Sequence, residues 1–176
     1  AELDSREALI ALENAKLELK KLRENSIISN GSSLTKDYEE ALSNIDNAYL
    51  EIATIYESMN RLLGDHRVST YKANLPNDIA RNYYNTSIAS FYKAKNYYDD
   101  SYASYKKLQK PLNQDKIISL LEDTYALNQL LAQALKDIDN YVSYVYNYTD
   151  VASRPQDVIT DKASVKDWRE TVNGLI

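Results

Sequence analysis

The groups able to do chemistry in this 176-residue chain are few. It has one histidine, His66, and no cysteine. His66 stands in Gly64-Asp65-His66-Arg67, just past a long periodic segment. A catalytic imidazole needs an oriented partner and a pocket, and this setting supplies neither. No Glu precedes it by three residues, so the Glu-x-x-His signature of di-iron helical bundles is missing. One imidazole without a thiol cannot furnish a His- or Cys-based metal cage. Carboxylates are plentiful, at Glu39-Glu40, Asp99-Asp100, Glu122-Asp123 and the pair Asp137 and Asp139. Adjacent helical residues point about 100° apart, so these pairs do not converge on one ion. They read as solvated helix faces. Three Asn-x-Ser/Thr triplets, at Asn30, Asn85 and Asn147, match the glycosylation pattern, but such triplets arise by chance in an Asn- and Ser-rich chain.

Tyrosine is the unusual feature, supplying 16 of the 18 aromatic residues. Tyr83, Tyr84, Tyr92, Tyr97, Tyr98, Tyr102 and Tyr105 crowd one segment, and Tyr141, Tyr144, Tyr146 and Tyr148 crowd another. Tyrosine offers apolar area plus a hydroxyl that needs water or a partner. It therefore suits the wet edge of a thin core, and it is also enriched at recognition surfaces. Tyr98, Tyr102 and Tyr105 continue a core stripe. Tyr92, Tyr97, Tyr144 and Tyr146 fit no single stripe and are the candidate interaction surface.

Composition narrows the classes. Net charge is −5, with 21 Lys+Arg against 26 Asp+Glu, which excludes a broadly basic nucleic-acid binder. Apolar residues make up 44 %, enough for a core. Three glycines are too few for phosphate-cradling loops. No apolar run reaches the ~20 residues that cross a bilayer. No cofactor is implied, and the chain is expected to be no enzyme. The lack of cysteine fits a reducing cytosol or an exported protein that avoids disulfides.

The elements that must carry these residues are helices. Gly31, Gly64, Pro76, Pro111 and Pro155 fall at breaks and delimit five periodic segments. The first, about 5–24, repeats Ala8, Leu12, Ala15, Leu19 and Leu22. The second, about 34–63, alternates spacings of four and three through Tyr38, Leu42, Ile45, Tyr49, Ile52, Tyr56, Met59 and Leu63. A second row, Ala41, Ala48, Ile55 and Leu62, widens its stripe. The third, about 77–110, has Ile79, Tyr83, Tyr84, Ile88, Phe91, Tyr98, Tyr102 and Tyr105 as its buried side, with the Lys95 stem lying along that row. The fourth, about 113–149, has Ile117, Leu121, Leu127, Leu131, Leu135, Ile138, Tyr141, Val142 and Val145. The fifth begins near 160 with Val165, Trp168, Val172 and Leu175. The run 141–148 has β propensity but continues the fourth segment in phase, so it is assigned to helix. Long helices with short links pack antiparallel. The expected architecture is all-α: an elongated antiparallel up-and-down bundle of four to five helices, a single helical domain.

The opening Ala1-Glu-Leu-Asp-Ser-Arg-Glu-Ala-Leu-Ile-Ala-Leu-Glu-Asn-Ala-Lys-Leu-Glu-Leu resembles a junction in periplasmic adaptor proteins, the HlyD-type membrane fusion proteins. There a strand of the first lipoyl half leads into an Ala/Leu-heptad hairpin arm. Thr35-Lys-Asp-Tyr-Glu-Glu-Ala-Leu42 looks like the start of a returning arm, and Arg23 with Thr35 would mark the hairpin tip. The likeness covers about 40 residues. Where the family returns to a Gly-rich lipoyl half, this chain continues into Tyr-rich helices. The resemblance implies that 1–25 and 160–176 are hairpin arms side by side, with 34–150 an inserted bundle in a segment cut from a longer protein. It further implies an extracytoplasmic, membrane-associated scaffold of an efflux or secretion system, without a span of its own here. Its partners would be transporter or outer-membrane channel components, or further copies of itself. The rival expectation is an extracytoplasmic sensor or surface-receptor bundle, binding a ligand between its third and fourth segments through Tyr-rich surfaces.

Overall fold

The computed structural model describes residues 31–64, 78–107, 114–148 and 156–175, with side chains from residue 38 except at 114. Four helices follow in order: α1 (Gly31–Gly64), α2 (Asp78–Lys106), α3 (Gln114–Tyr148) and α4 (Gln156–Gly174). The described residues contain no strand, and the chain is an all-α bundle. At 1.5 Å per residue the 34 residues of α1 and the 35 of α3 are rods of roughly 50 Å.

Cross-helix contacts fix the directions. Tyr49 of α1 meets Tyr102 of α2, and Tyr56 meets Phe91, so α1 and α2 are antiparallel. Tyr83 meets Tyr144 and the Tyr97 hydroxyl meets Asp123, so α2 and α3 are antiparallel. Lys162 lies over Tyr146 and Arg169 pairs with Asp139, so α4 descends along the C-terminal half of α3. At 19 residues, roughly 28 Å, α4 is about half as long as α3. The end of α1, the start of α2, the end of α3 and the start of α4 share one pole.

Each helix owes its place to an apolar seam. In α1, Ile45, Tyr49, Ile52, Tyr56, Met59 and Leu63 are buried as the 4-3 spacing predicts, joined by the second row at Ala48, Ile55 and Leu62. In α3 the seam runs through Leu127, Leu131, Leu135, Ile138, Tyr141 and Val145, and α3 is the rod against which α1, α2 and α4 all pack. In α4 a single row of Val158, Val165 and Val172, spaced by seven, is buried. Local polar chemistry supports these seams. Acidic residues sit in the first turns of α2, α3 and α4 (Asp78, Asp115, Asp157), and basic ones in the last turns of α1 and α2 (Arg61, Lys106). Each sign complements the helix dipole at its end. The i,i+4 pairs Arg61–Glu57 and Lys166–Glu170 lie on exposed faces, where each is worth a few tenths of a kcal/mol.

Three expectations need correction. The last helix starts at Gln156 rather than near 160, because Val158 already belongs to its buried row. Helix α1 starts at Gly31 rather than near 34, and Thr35 lies inside it, as the 34–63 segment already placed it. In α2, Ile79 and Tyr83 are exposed at 52 % and 38 %. The seam that faces the core there is made of small residues at seven-residue spacing, Ala80, Ser87 and Ala94, with Phe91 and Tyr98. Small side chains let α2 lie close to α3, and that rotates the bulkier Ile79 and Tyr83 outward. The predicted first helix with Arg23, and the His66 loop, lie outside the described residues.

Candidate functional site

The tyrosines divide into three groups with different surroundings. The first is an inward cluster between α1 and α2. The Tyr49 ring packs on Tyr98, Tyr102 and Tyr105 with centroids 6.1, 5.4 and 5.1 Å away. Tyr56 packs on Tyr98 at 5.3 Å and edge-on against Phe91 at 6.0 Å. Backbones here stand further apart than at the α2–α3 and α3–α4 seams, and the rings fill the gap. Aromatic pairs at such distances add about 0.5–1.5 kcal/mol each beyond their buried area. The Tyr98 hydroxyl donates to Tyr49 O at 3.5 Å, while the hydroxyls of Tyr49 and Tyr56 are buried without a hydrogen-bond partner. Ser101 and Thr124 stand near the Tyr49 hydroxyl and pull its pKa down slightly. Each donates its own proton to a helix carbonyl (Ser101 to Tyr98 O, Thr124 to Leu120 O), and neither closes a bond to Tyr49. Burial therefore dominates and raises the phenol pKa at both Tyr49 and Tyr56. Burial, then the neighbouring Tyr102 and Asp99, raises that of Tyr98.

The second group lies between helices as polar latches. Tyr97 is half-buried and donates to Asp123 Oδ1 at 3.4 Å; burial and then the Asp123 charge raise its pKa. Tyr84 donates to Leu63 O at 3.5 Å and packs edge-on against Tyr141, 5.5 Å away. Tyr146 lies under the Lys162 ammonium, 4.2 Å from its ring centre, as Tyr102 does under Lys106 at 4.5 Å. The two acids of the 137/139 pair join this group instead of a solvated face. Asp137 turns to α2, where Ser90 donates to its Oδ2, while Gln133 of α3 donates to its Oδ1 at 3.0 Å. Ser87 Oγ lies 2.8 Å from Asp137 O and 2.9 Å from Tyr83 O, and its single proton serves one of them at a time. Asp139 turns to α4, accepting from Arg169 at 2.6 Å and from Ser143 at 3.2 Å. The two carboxylates diverge, as their phase on the helix predicts, but each is half-buried because a neighbouring helix covers its face.

The third group is exposed. Tyr92 is 55 % exposed and touches Phe91 edge-on. Tyr83, Tyr144 and Tyr148 form a run of rings along the outer α2–α3 seam, 5.5 Å and 6.0 Å apart, with Ile79 one turn before Tyr83. The four tyrosines predicted as an interaction surface are thus not brought together. Tyr92 stands apart from the other three against Phe91, Tyr97 latches α2 to α3, Tyr144 belongs to the exposed run, and Tyr146 faces α4. Composition could not reveal that run. Its signal is the seven-residue spacing of Tyr83 and Ser90 on α2, matched by Asp137 and Tyr144 on α3.

Among the described residues no group of three or more His, Cys, Asp or Glu side chains is placed to hold a metal ion, and no helix is long and apolar enough to cross a membrane. No protein-family model matches the chain, and no curated protein or solved structure is significantly similar to it.

Proposed function

We propose that the chain is a non-catalytic helical scaffold that holds protein partners in fixed relation, in an exported periplasmic adaptor of an efflux or secretion assembly. One observation carries the scaffold reading: packing is continuous along the rods. Interlocked rings run from Tyr105 and Tyr49 through Tyr56 and Phe91, and Tyr84 with Tyr141 closes the opposite pole. Polar latches tie α3 to α2 at Asp137 and to α4 at Asp139. A spacer needs this stiffness, since interiors packed at crystal density transmit displacement rather than absorb it. The adaptor assignment rests on the N-terminal resemblance, which lies largely outside the described residues. The rival ligand-binding reading asks Tyr rings of α2 and α3 to line an enclosed site. What favours the scaffold over it is that the inward rings, Tyr84 and Tyr141, touch each other.

The test is a photo-crosslinking residue at Tyr92, in the natural polypeptide and its native host. The reading predicts adducts with an envelope transporter or channel component, and cleavage of the domain by protease added outside the inner membrane. Protection from that protease, or adducts with cytosolic proteins alone, would contradict it.

A further inference from the structure

We propose that the N-terminal half of α3 carries a helix seat in line with α4, and that the segment 5–24 of this same chain fills it. The inference goes beyond the scaffold reading and does not rest on it. Lys162 lies over Tyr146 and Arg169 pairs with Asp139, so α4 descends one residue for each residue of α3. Its end at Gly174 therefore stands level with about Ala134, and roughly 30 Å of α3 continues beyond it, down to Gln114. The line of α3 that faces α4 continues as well. Seven-residue steps from Tyr146 and Asp139 lead on to Ala132, Tyr125 and Ile118. In supercoiled helices such steps stay on one face. A face turned to open water beyond the end of α4 would leave these side chains exposed. Instead Ile118 is 9 % exposed, Asn128 beside the line is 2 % exposed, and Tyr125 and Ala132 are half-buried. Across the groove, the α1 row of Leu62 and Ile55 runs on into Ala48 and Ala41, which are buried too. The reach of the chain selects the cover. The segments 65–77 and 149–155 leave and re-enter the bundle at the pole where α4 starts. The segment 108–113 does so at the opposite pole, and six residues that must return rise at most about 10 Å. None of the three spans the line from Ile118 to Ala132. The segment 5–24 precedes α1 at that opposite pole, and as a helix its length is roughly 30 Å, that of the seat. Its row of Ala8, Leu12, Ala15, Leu19 and Leu22 at 4-3 spacing is the apolar stripe such a seat accepts. Seated there, it brings Ala15 beside Ile118 and Ser5 toward the end of α4, so that the two helices stand end to end along α3.

The experiment uses the whole chain, which has no cysteine of its own. Spin labels at E13C, off the Ala/Leu row, and at K166C, exposed on α4, are read by pulsed electron–electron double resonance. The seat predicts one peak near roughly 35 Å, the step along α3 from the level of Glu13 to that of Lys166. A peak below ~20 Å, about two helix diameters, would place the segment beside α4 instead of beyond it. A distribution with no dominant peak would leave it unseated. Either result overturns the proposal. Disulfide trapping is the second readout, since two cysteines bridge only when their Cα atoms come within about 7 Å. A15C or L19C paired with I118C should crosslink under mild oxidation, and the same two paired with A103C, on α2 near the same level, should not. No crosslink to I118C, or equal yields with I118C and A103C, would also overturn it. Circular dichroism melts confirm that each variant is folded. None of these outcomes touches the crosslinking test of the scaffold reading.

Discussion

Buried phenols make the stability of this bundle sensitive to alkali in a way that two substitutions can isolate. Tyr49 and Tyr56 are each 2 % exposed, have hydroxyls without hydrogen-bond partners, and have pKa values raised by burial. The neutral form is the one the folded state accommodates. Below the unfolded-state pKa of about 10 both states hold the proton, and ionisation costs nothing. As pH rises past that value the unfolded chain releases protons that the folded chain retains, so stability falls with pH. At about pH 11 each such tyrosine favours the unfolded state by up to ~1.4 kcal/mol, and the two together by up to ~2.8 kcal/mol. Residual denatured-state structure makes this an upper bound. The double variant Y49F/Y56F keeps both rings and removes both protons. Urea unfolding, followed by far-UV circular dichroism at about pH 8 and about pH 11, gives the stability difference for each protein. The wild type should lose more than the variant over this interval, by up to ~2.8 kcal/mol. At about pH 8 the variant should be as stable as wild type or more so by about 1 kcal/mol per site, because an unsatisfied buried hydroxyl is gone. Equal alkaline losses in the two proteins would refute the argument, since the hydroxyls would then be solvated or paired.

Other substitutions probe the seams one at a time. L131A, at a side chain with no solvent exposure in the α3 seam, should cost about 3–5 kcal/mol in urea unfolding. S87L places a large side chain where α2 lies close to α3 and removes the hydroxyl shared with Asp137 O, so it should cost about 1–3 kcal/mol. Ala94→Gly on the same seam removes one methyl and lowers helix propensity, for a loss of about 1 kcal/mol. R169M breaks the half-exposed pair with Asp139 and should cost about 1 kcal/mol or less, with hydrogen exchange rising in 156–174 before the rest of the bundle.

The helices were legible because their seams are built from large aliphatic residues. Ile45, Ile52, Met59, Leu127, Leu131, Leu135 and Ile138 stand at 4-3 spacing and are all buried. Where the seam is made of something else, apolar periodicity misdirects. In α2 the eye follows Ile79 and Tyr83, while the buried row is Ala80, Ser87 and Ala94; small residues every seven positions were the available signal. In α3 the stripe skips from Leu121 to Leu127, and the buried residues around that gap include Thr124 and Asn128. Thr124 is tolerable inside because its hydroxyl donates to Leu120 O at 2.8 Å. Asp137 and Asp139 read as solvated because a lone helix would leave them so, and only the neighbouring helices bury them. The candidate surface was harder still. A tyrosine off the main stripe can face a second neighbour, as Tyr146 does, or water, as Tyr92 does, and one helix's periodicity does not separate the two cases.

Stiffness along the full length is the property on which the account stands, and a distance distribution measures it. The chain contains no cysteine, so spin labels can be placed at E40C in α1 and N147C in α3, both exposed and near opposite poles. Pulsed electron–electron double resonance should return one narrow peak near roughly 50 Å, the span of the parallel α1 and α3. A broad or multimodal distribution would mean that the rods slide or hinge, and a scaffold that holds partners in fixed relation would be contradicted.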